Sequence, residues 1–302
     1  MHRWPLAAAF DVTFALIVAS IRIEACAHIL SGVIYGLLKL ANGVFVKRLL
    51  ILLLFSPSPL FAQSSFDGTW IINSDTAQLP EKPQVYVLAE GVFRCSTCVP
   101  KIEIEADEQN QRVAGSSYFD TESVRVVDAH TVEFVAKKEG KTMFTELDTI
   151  SPDGTTLTQT VTDTTESQAV TIETLSRRVA KGAPGTHALS GSWRAYKIHR
   201  SKNGATIKYL CTKEGFSAET PLGERFEAKF DGKDYPVEDD PGHTTVSVKR
   251  LNASSVELTS KRNGKIVGVL HLSVAPSGET IHVVVDDRES DTTSTYEMQK
   301  QP

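Results

Sequence analysis

Apolar and polar residues alternate over long stretches of the carboxyl-terminal half. Ile266, Gly268, Leu270, Leu272 and Val274 fall on one face of a run, and Ile281, Val283 and Val285 on one face of the next. A period of two predicts strands with one face against a core and one in water. Turn-forming pairs punctuate such runs throughout: Glu90-Gly91, Glu139-Gly140, Asp153-Gly154, Asn203-Gly204, Asp231-Gly232, Asn263-Gly264 and Ser277-Gly278. Asn-Gly and Asp-Gly take left-handed backbone angles readily, as tight hairpins require. No window after residue 63 sustains a helical period, and Thr76 to Lys82 offers one turn at most. The pattern predicts an all-β protein.

The pattern also repeats. Asp67-Gly68-Thr69-Trp70 returns as Ser190-Gly191-Ser192-Trp193, 123 residues later. At a spacing of 124, Ser123-Val124-Arg125-Val126 matches Ser247-Val248-Lys249-Arg250, and Val132-Glu133 matches Val256-Glu257. Gly140-Lys141 matches Gly264-Lys265, and Pro152-Asp153-Gly154 matches Pro276-Ser277-Gly278. A nearly constant offset over turns and strands points to a duplicated unit. The small residues from Val179 to Thr186 read as the linker, giving repeats at 63–183 and 184–302. About eight to ten strands are expected per repeat. A unit so short and strand-rich has exposed edges to manage, and closure removes them. The expected fold is two tandem antiparallel barrels; one β-sandwich per repeat is the alternative.

Residues 1–62 have a different character. Lys47-Arg48 precedes Leu49 to Phe55, then Ser56-Pro57-Ser58-Pro59 and a small residue, Ala62. A positive start, a short apolar run and helix breakers describe a signal peptide at about 44–62. Upstream, Phe14 to Ile21 and Val33 to Val46 are also apolar, but Asp11, Arg22, Glu24 and Lys39 interrupt them. That part reads either as a misassigned start or as a membrane anchor. Either way the folded part is expected to be periplasmic or secreted, with membrane contact only through an uncleaved amino end.

Composition narrows the partners. The chain of 302 residues is 41% hydrophobic and 23% charged, with a formal charge of −5. Residues 1–62 hold five Lys/Arg and two Asp/Glu, leaving 27 basic and 35 acidic residues and a charge of −8 in the remainder. An acidic body repels polyphosphates, so no nucleic-acid partner is expected.

Gly68-Thr69-Trp70 and Gly191-Ser192-Trp193 resemble the lipocalin Gly-x-Trp signature, which implies that Trp70 and Trp193 plug the closed ends of barrels. Over the whole exported part, Asp231 to Val237, Asp240-Pro241-Gly242, Thr245 to Leu251 and Asn263-Gly264-Lys265 resemble a family of exported bacterial β-rich proteins. That resemblance implies a lineage and brings no chemistry. The first repeat lacks the Asp-Tyr-Pro-Val segment and carries Cys95-Ser96-Thr97-Cys98 instead.

The two thiols of Cys95 and Cys98 suit a local disulfide, half of a zinc site or a redox pair. The redox reading lacks a helix after a strand, and the zinc reading lacks further ligands. Cys211 reads as a small buried hydrophobe, or as an inter-repeat disulfide partner. His271 and His282 flank the Ala275–Gly278 turn. If Leu272 faces Ile281 they sit opposite each other and form a weak metal site; a shifted register separates them. Glu238-Asp239-Asp240, Asp286-Asp287 and the Glu103/Glu105 pair read as turn and strand-end acids. Serine elbows, phosphate-cradling loops and His-Glu-x-x-His are missing, so no catalytic residue and no cofactor is expected. Two functions remain: a non-catalytic module binding a small hydrophobic ligand in hollow barrels, or an envelope structural or interaction protein with solid ones.

Overall fold

The computed structural model of the protein describes residues 64–165 and 168–302. The segment 1–62, expected to carry a signal peptide at about 44–62, lies outside the described residues. Among the described residues no helix is long and apolar enough to cross a membrane.

The strands run β1 (Gly68–Gln78), β2 (Gln84–Ala89), β3 (Val92–Cys95), β4 (Ile102–Glu105), β5 (Gln111–Arg112), β6 (Thr121–Asp128) and β7 (Thr131–Lys138). They continue as β8 (Lys141–Ile150), β9 (Thr156–Asp163), β10 (Val170–Lys181), β11 (Gly191–Arg200), β12 (Thr206–Cys211), β13 (Gly215–Glu219) and β14 (Arg225–Lys229). The last are β15 (Tyr235–Pro236), β16 (Thr245–Asn252), β17 (Ser255–Arg262), β18 (Lys265–Val274), β19 (Thr280–Asp287) and β20 (Thr292–Lys300). They form two nearly closed antiparallel sheets of ten strands each, so the fold is all-β with two barrels rather than two sandwiches.

The duplication is visible in the irregularities as well as the strands. The β6–β7 ladder slips between Val126 and Asp128, and the β16–β17 ladder between Arg250 and Asn252. The β7–β8 ladder slips after Ala136, and the β17–β18 ladder after Ser260. Each bulge recurs at the offset of 124 read from the sequence.

Sheet membership departs from the repeat boundary by one strand. One sheet runs β4-β3-β2-β11-β10-β9-β8-β7-β6-β5, so the N-terminal barrel is the continuous segment 84–200. The other runs β14-β13-β12-β1-β20-β19-β18-β17-β16-β15. The first strand of each repeat is thus traded: β1 pairs with β12 and β20, and β11 with β2 and β10. The Val179–Thr186 stretch, expected to link the barrels, belongs to the connection between neighbouring strands β10 and β11; Lys181 faces Gly191 and the Gly182 N–H bonds the Ser190 carbonyl at 3.1 Å. The real crossings lie elsewhere. Pro80 and Pro83 end β1, because neither can donate to a ladder and each biases its predecessor to extended backbone. After β11 a 3-10 turn at Asn203–Ala205 starts the return, with Gly204 against Val170; a Cβ there would lie 2.5 Å from the Val170 methyl.

Closure differs between the barrels. In the C-terminal barrel, Arg225 at the head of β14 and Glu238 just after β15 exchange both backbone hydrogen bonds, at 3.0 and 2.7 Å. In the N-terminal barrel a side chain substitutes for a backbone pair. The Gln111 amide accepts from the Glu105 N–H at 2.9 Å and donates to its carbonyl at 2.7 Å. Away from the crossings, the barrels touch around Tyr118. Its ring packs on Gly242, Arg262 lies over it at 4.8 Å, and Lys138 donates to the Ser117 and Pro241 carbonyls.

Because residues 84–200 contain every strand of their sheet, a fragment of that span is expected to fold alone. Deletion of residues 64–79 is expected to strip amide-exchange protection from 206–300 and leave it in 84–200. Uniform loss across both sheets would contradict the observed strand exchange.

Candidate functional site

The bulges and ladders align the interiors of the two barrels position by position. In the C-terminal barrel the inward residues include Val246 on β16, Leu270 and Leu272 on β18, and Val283 on β19, all buried in one apolar cluster. Their register mates in the N-terminal barrel are Glu122 on β6, Glu146 and Asp148 on β8, and Gln159 on β9. The pairing is the same in both: Phe134 faces Glu146 as Leu258 faces Leu270, and Asp148 faces Gln159 as Leu272 faces Val283. Glu122 is 0% exposed, and Glu146 and Asp148 are each 2% exposed. Leu147, between them, points outward and is 43% exposed. On β8 the usual alternation is inverted.

Each such exchange gives up about 1.5–3 kcal/mol of apolar burial and adds a desolvation penalty. Gln159 offsets part of it. Its side-chain nitrogen lies 2.9 Å from Glu146 Oε1, 3.2 Å from Asp148 Oδ1 and 3.4 Å from the Tyr86 hydroxyl. Glu146 and Asp148 stand two residues apart on one face of β8, where each meets the other's charge. Burial pushes both carboxyls above the usual range, and Asp148 rises further beside Glu146. Burial, with the neighbouring Asp148 and Glu146, also raises the Tyr86 phenol well above 10 and keeps it neutral. Glu122 is pushed by burial to about 7, and neither of its oxygens has a hydrogen-bond partner. Among the described residues no three His, Cys, Asp or Glu side chains converge to hold a metal ion.

The residues singled out from the sequence lie elsewhere. Cys95 and Cys98 are bonded to each other, S–S 1.98 Å, within the N-terminal core, and so are not metal ligands here. Cys211 is free and buried in the C-terminal core, so the inter-repeat disulfide is not formed. The histidine register is corrected: Leu272 faces Val283 rather than Ile281, because the Ala275–Glu279 connection is wider than the turn assumed. His271 faces Val284 and His282 faces Ser273, so the two are not opposite; His271 lies 3.5 Å from Glu257 instead. Asp240 accepts the Gly242 and Thr244 N–H groups, Asp287 those of Glu289 and Ser290, and Glu103 pairs with Arg94. These acids serve turns and strand surfaces.

The two Gly-x-Trp segments have matching surroundings. Trp70 donates its indole N–H to the Phe66 carbonyl and Trp193 to the Leu189 carbonyl, both at 2.8 Å. A cation covers each ring: Lys300 at 5.3 Å from Trp70 and Arg178 at 3.8 Å from Trp193. Through the strand exchange Trp70 belongs to the C-terminal core and Trp193 to the N-terminal one. Gly68 and Gly191 have φ of 131° and 135°, and a Cβ on Gly191 would lie 2.3 Å from the Ala180 carbonyl oxygen.

The buried carboxyls escaped the sequence reading because acidic residues on an alternating strand normally mark its wet face. Laying one repeat on the other exposes them: Glu122 against Val246, Glu146 against Leu270, Asp148 against Leu272 and Gln159 against Val283.

No family model matches the chain, and no curated protein matches it. Among solved structures, a double mutant of the vaccine antigen transferrin binding protein B from Haemophilus parasuis Hp5 is similar at 9% identity. The match covers 75% of this chain and 78% of that one with a TM-score of 0.17.

The raised Glu122 carboxyl makes stability depend on pH. The native state keeps a proton that the unfolded chain releases above about 4.5. Stability is therefore full below that pH and falls as pH rises through about 7. At pH 8 the loss from Glu122 is about 3 kcal/mol, and Asp148 and Glu146 add in the same direction. Denaturant titrations of Glu122→Gln are expected to recover most of that loss at pH 8 and flatten the dependence between pH 4.5 and 7. Gly191→Ala is expected to destabilise the N-terminal barrel by about 3 kcal/mol, because L side chains rarely adopt that φ and the carbonyl blocks the Cβ; unchanged melting would refute this.

Proposed function

We propose that the protein is an exported, non-catalytic binding module whose ligand sits inside the N-terminal barrel, while the C-terminal barrel is its structural partner. The observation that carries this reading is the register-matched replacement of Val246, Leu270, Leu272 and Val283 by Glu122, Glu146, Asp148 and Gln159. A scaffold that works with an apolar interior gains no stability from buried carboxyls, so their use points to recognition. The surrounding wall of Phe93, Phe134, Val124 and Leu157 suits the apolar body of a small ligand. Trp70 and Trp193, each capped by a cation, read as the plugs of the closed ends. Export rests on the signal-peptide pattern at about 44–62.

The apolar cluster of the C-terminal barrel favours a second reading, that of a structural or interaction protein of the envelope. Native mass spectrometry of protein from its own host separates the two. A bound small molecule is expected on the wild type. It is expected to be absent from the fourfold variant Glu122→Val, Glu146→Leu, Asp148→Leu and Gln159→Val, which remains folded. An adduct retained by that variant would remove the N-terminal interior as the site, and a bare wild-type spectrum would favour the structural reading.

A further inference from the structure

The interior of the N-terminal barrel is short of donors. Both oxygens of Glu122 are buried without a partner. Glu146 and Asp148 share the single amide nitrogen of Gln159. Among the described residues no Lys, Arg or His forms an ion pair with any of the three carboxyls. Ser176, on the inward face of β10 opposite Leu157, is 1% exposed, and its hydroxyl oxygen is also unpartnered. An unmade hydrogen bond at a buried polar atom costs about 1–3 kcal/mol, so this set is stable only weakly until something donates to it. An anionic ligand meets repulsion from the carboxyls as they ionise. An ammonium group brings three N–H donors and a positive charge.

Apolar surface stands beside the acids. Phe134 faces Glu146 across the β7–β8 ladder, with Phe93 at 4.9 Å from its ring and Tyr86 at 6.0 Å from Phe93. Aromatic faces near carboxylates suit the body and charged head of an amine together.

Building on the binding reading above, we infer that the ligand is a small organic cation, an apolar body bearing a protonated amine, whose ammonium seats between Glu122 and the Glu146–Asp148 pair. Binding releases protons from these carboxyls, and affinity therefore rises with pH. Among the described residues the titratable groups acting on Glu122 are Glu146 and Asp148 on β8, and Tyr86 on β2 stays neutral throughout.

Calorimetric titration of the full chain with n-hexylammonium, n-hexanol and hexanoate tests this. Hexylammonium is expected to bind at least about tenfold tighter at pH 8 than at pH 5.5, at least about tenfold tighter than hexanol at pH 8, and hexanoate not at all. Glu122→Gln is expected to weaken hexylammonium about tenfold and leave hexanol unchanged. Glu122→Val, which copies the C-terminal barrel, is the second variant should the amide prove unstable. Hexanol or hexanoate binding as tightly as hexylammonium, or affinity independent of pH, overturns the cation assignment and leaves the binding reading intact. If none of the three binds saturably and the native spectrum is bare, both fall.

Discussion

A strand edge inside a small β-protein must be paired, and here the pairing of β1 is the constraint on which the architecture rests. Its backbone lies between β12 and β20, more than a hundred residues from either in sequence. Without it the C-terminal sheet is split into two pieces with bare edges at β12 and β20. The N-terminal barrel has no such dependence, because β11 closes the gap between β2 and β10 within one continuous segment. Ladder pairs so distant in sequence form slowly, since loop closure must precede any return from contact. The continuous barrel is the natural first folder.

Duplication left two cups of the same register and opposite interior chemistry. The C-terminal one is lined by Val246, Leu258, Leu270, Leu272, Val283 and Met298, the usual filling of a small barrel. The other keeps that frame and inserts three carboxyls and an amide. Its disulfide, its Gln111 closure and its aromatic wall keep the frame intact around groups that oppose burial. The contrast within one chain acts as an internal control, since backbone path, bulges and Trp surroundings are shared.

Much of the fold was legible in the sequence. The alternation from Gly268 to Val274 became β18, but Ile266, read onto the same face, is 50% exposed and Val267 is buried in its place, where the β17–β18 ladder slips between Ser260 and Lys261. Asn263-Gly264 forms a turn with both residues at positive φ. The offset of 124 predicted even the bulges. What local patterns do not contain is the identity of the strand on the far side of a ladder. Gly68-Thr69-Trp70 opens its repeat in sequence but completes the other barrel in space, and nothing near it signals the exchange. The Val179–Thr186 stretch misled for a related reason: small residues serve a hairpin connection as well as a linker. The interior acids were hidden by the assumption that carboxyls face water, although the exposed Leu147 between Glu146 and Asp148 marks the inversion. Comparison of repeats, rather than inspection of either one, recovers that part.

The exchange has a consequence for integrity after backbone damage. The exposed stretch around Pro184 and Gly185 lies outside every ladder. Cleavage there yields one piece holding nine strands of its own cup and one of its neighbour's, and a second piece with the converse set. Neither piece owns a complete cup, yet together they lack nothing but one peptide bond. A nick that would release a domain from an ordinary tandem protein instead leaves these two halves clasped. An ancestral single copy with the same pairing preference would have met its missing strand only on another molecule.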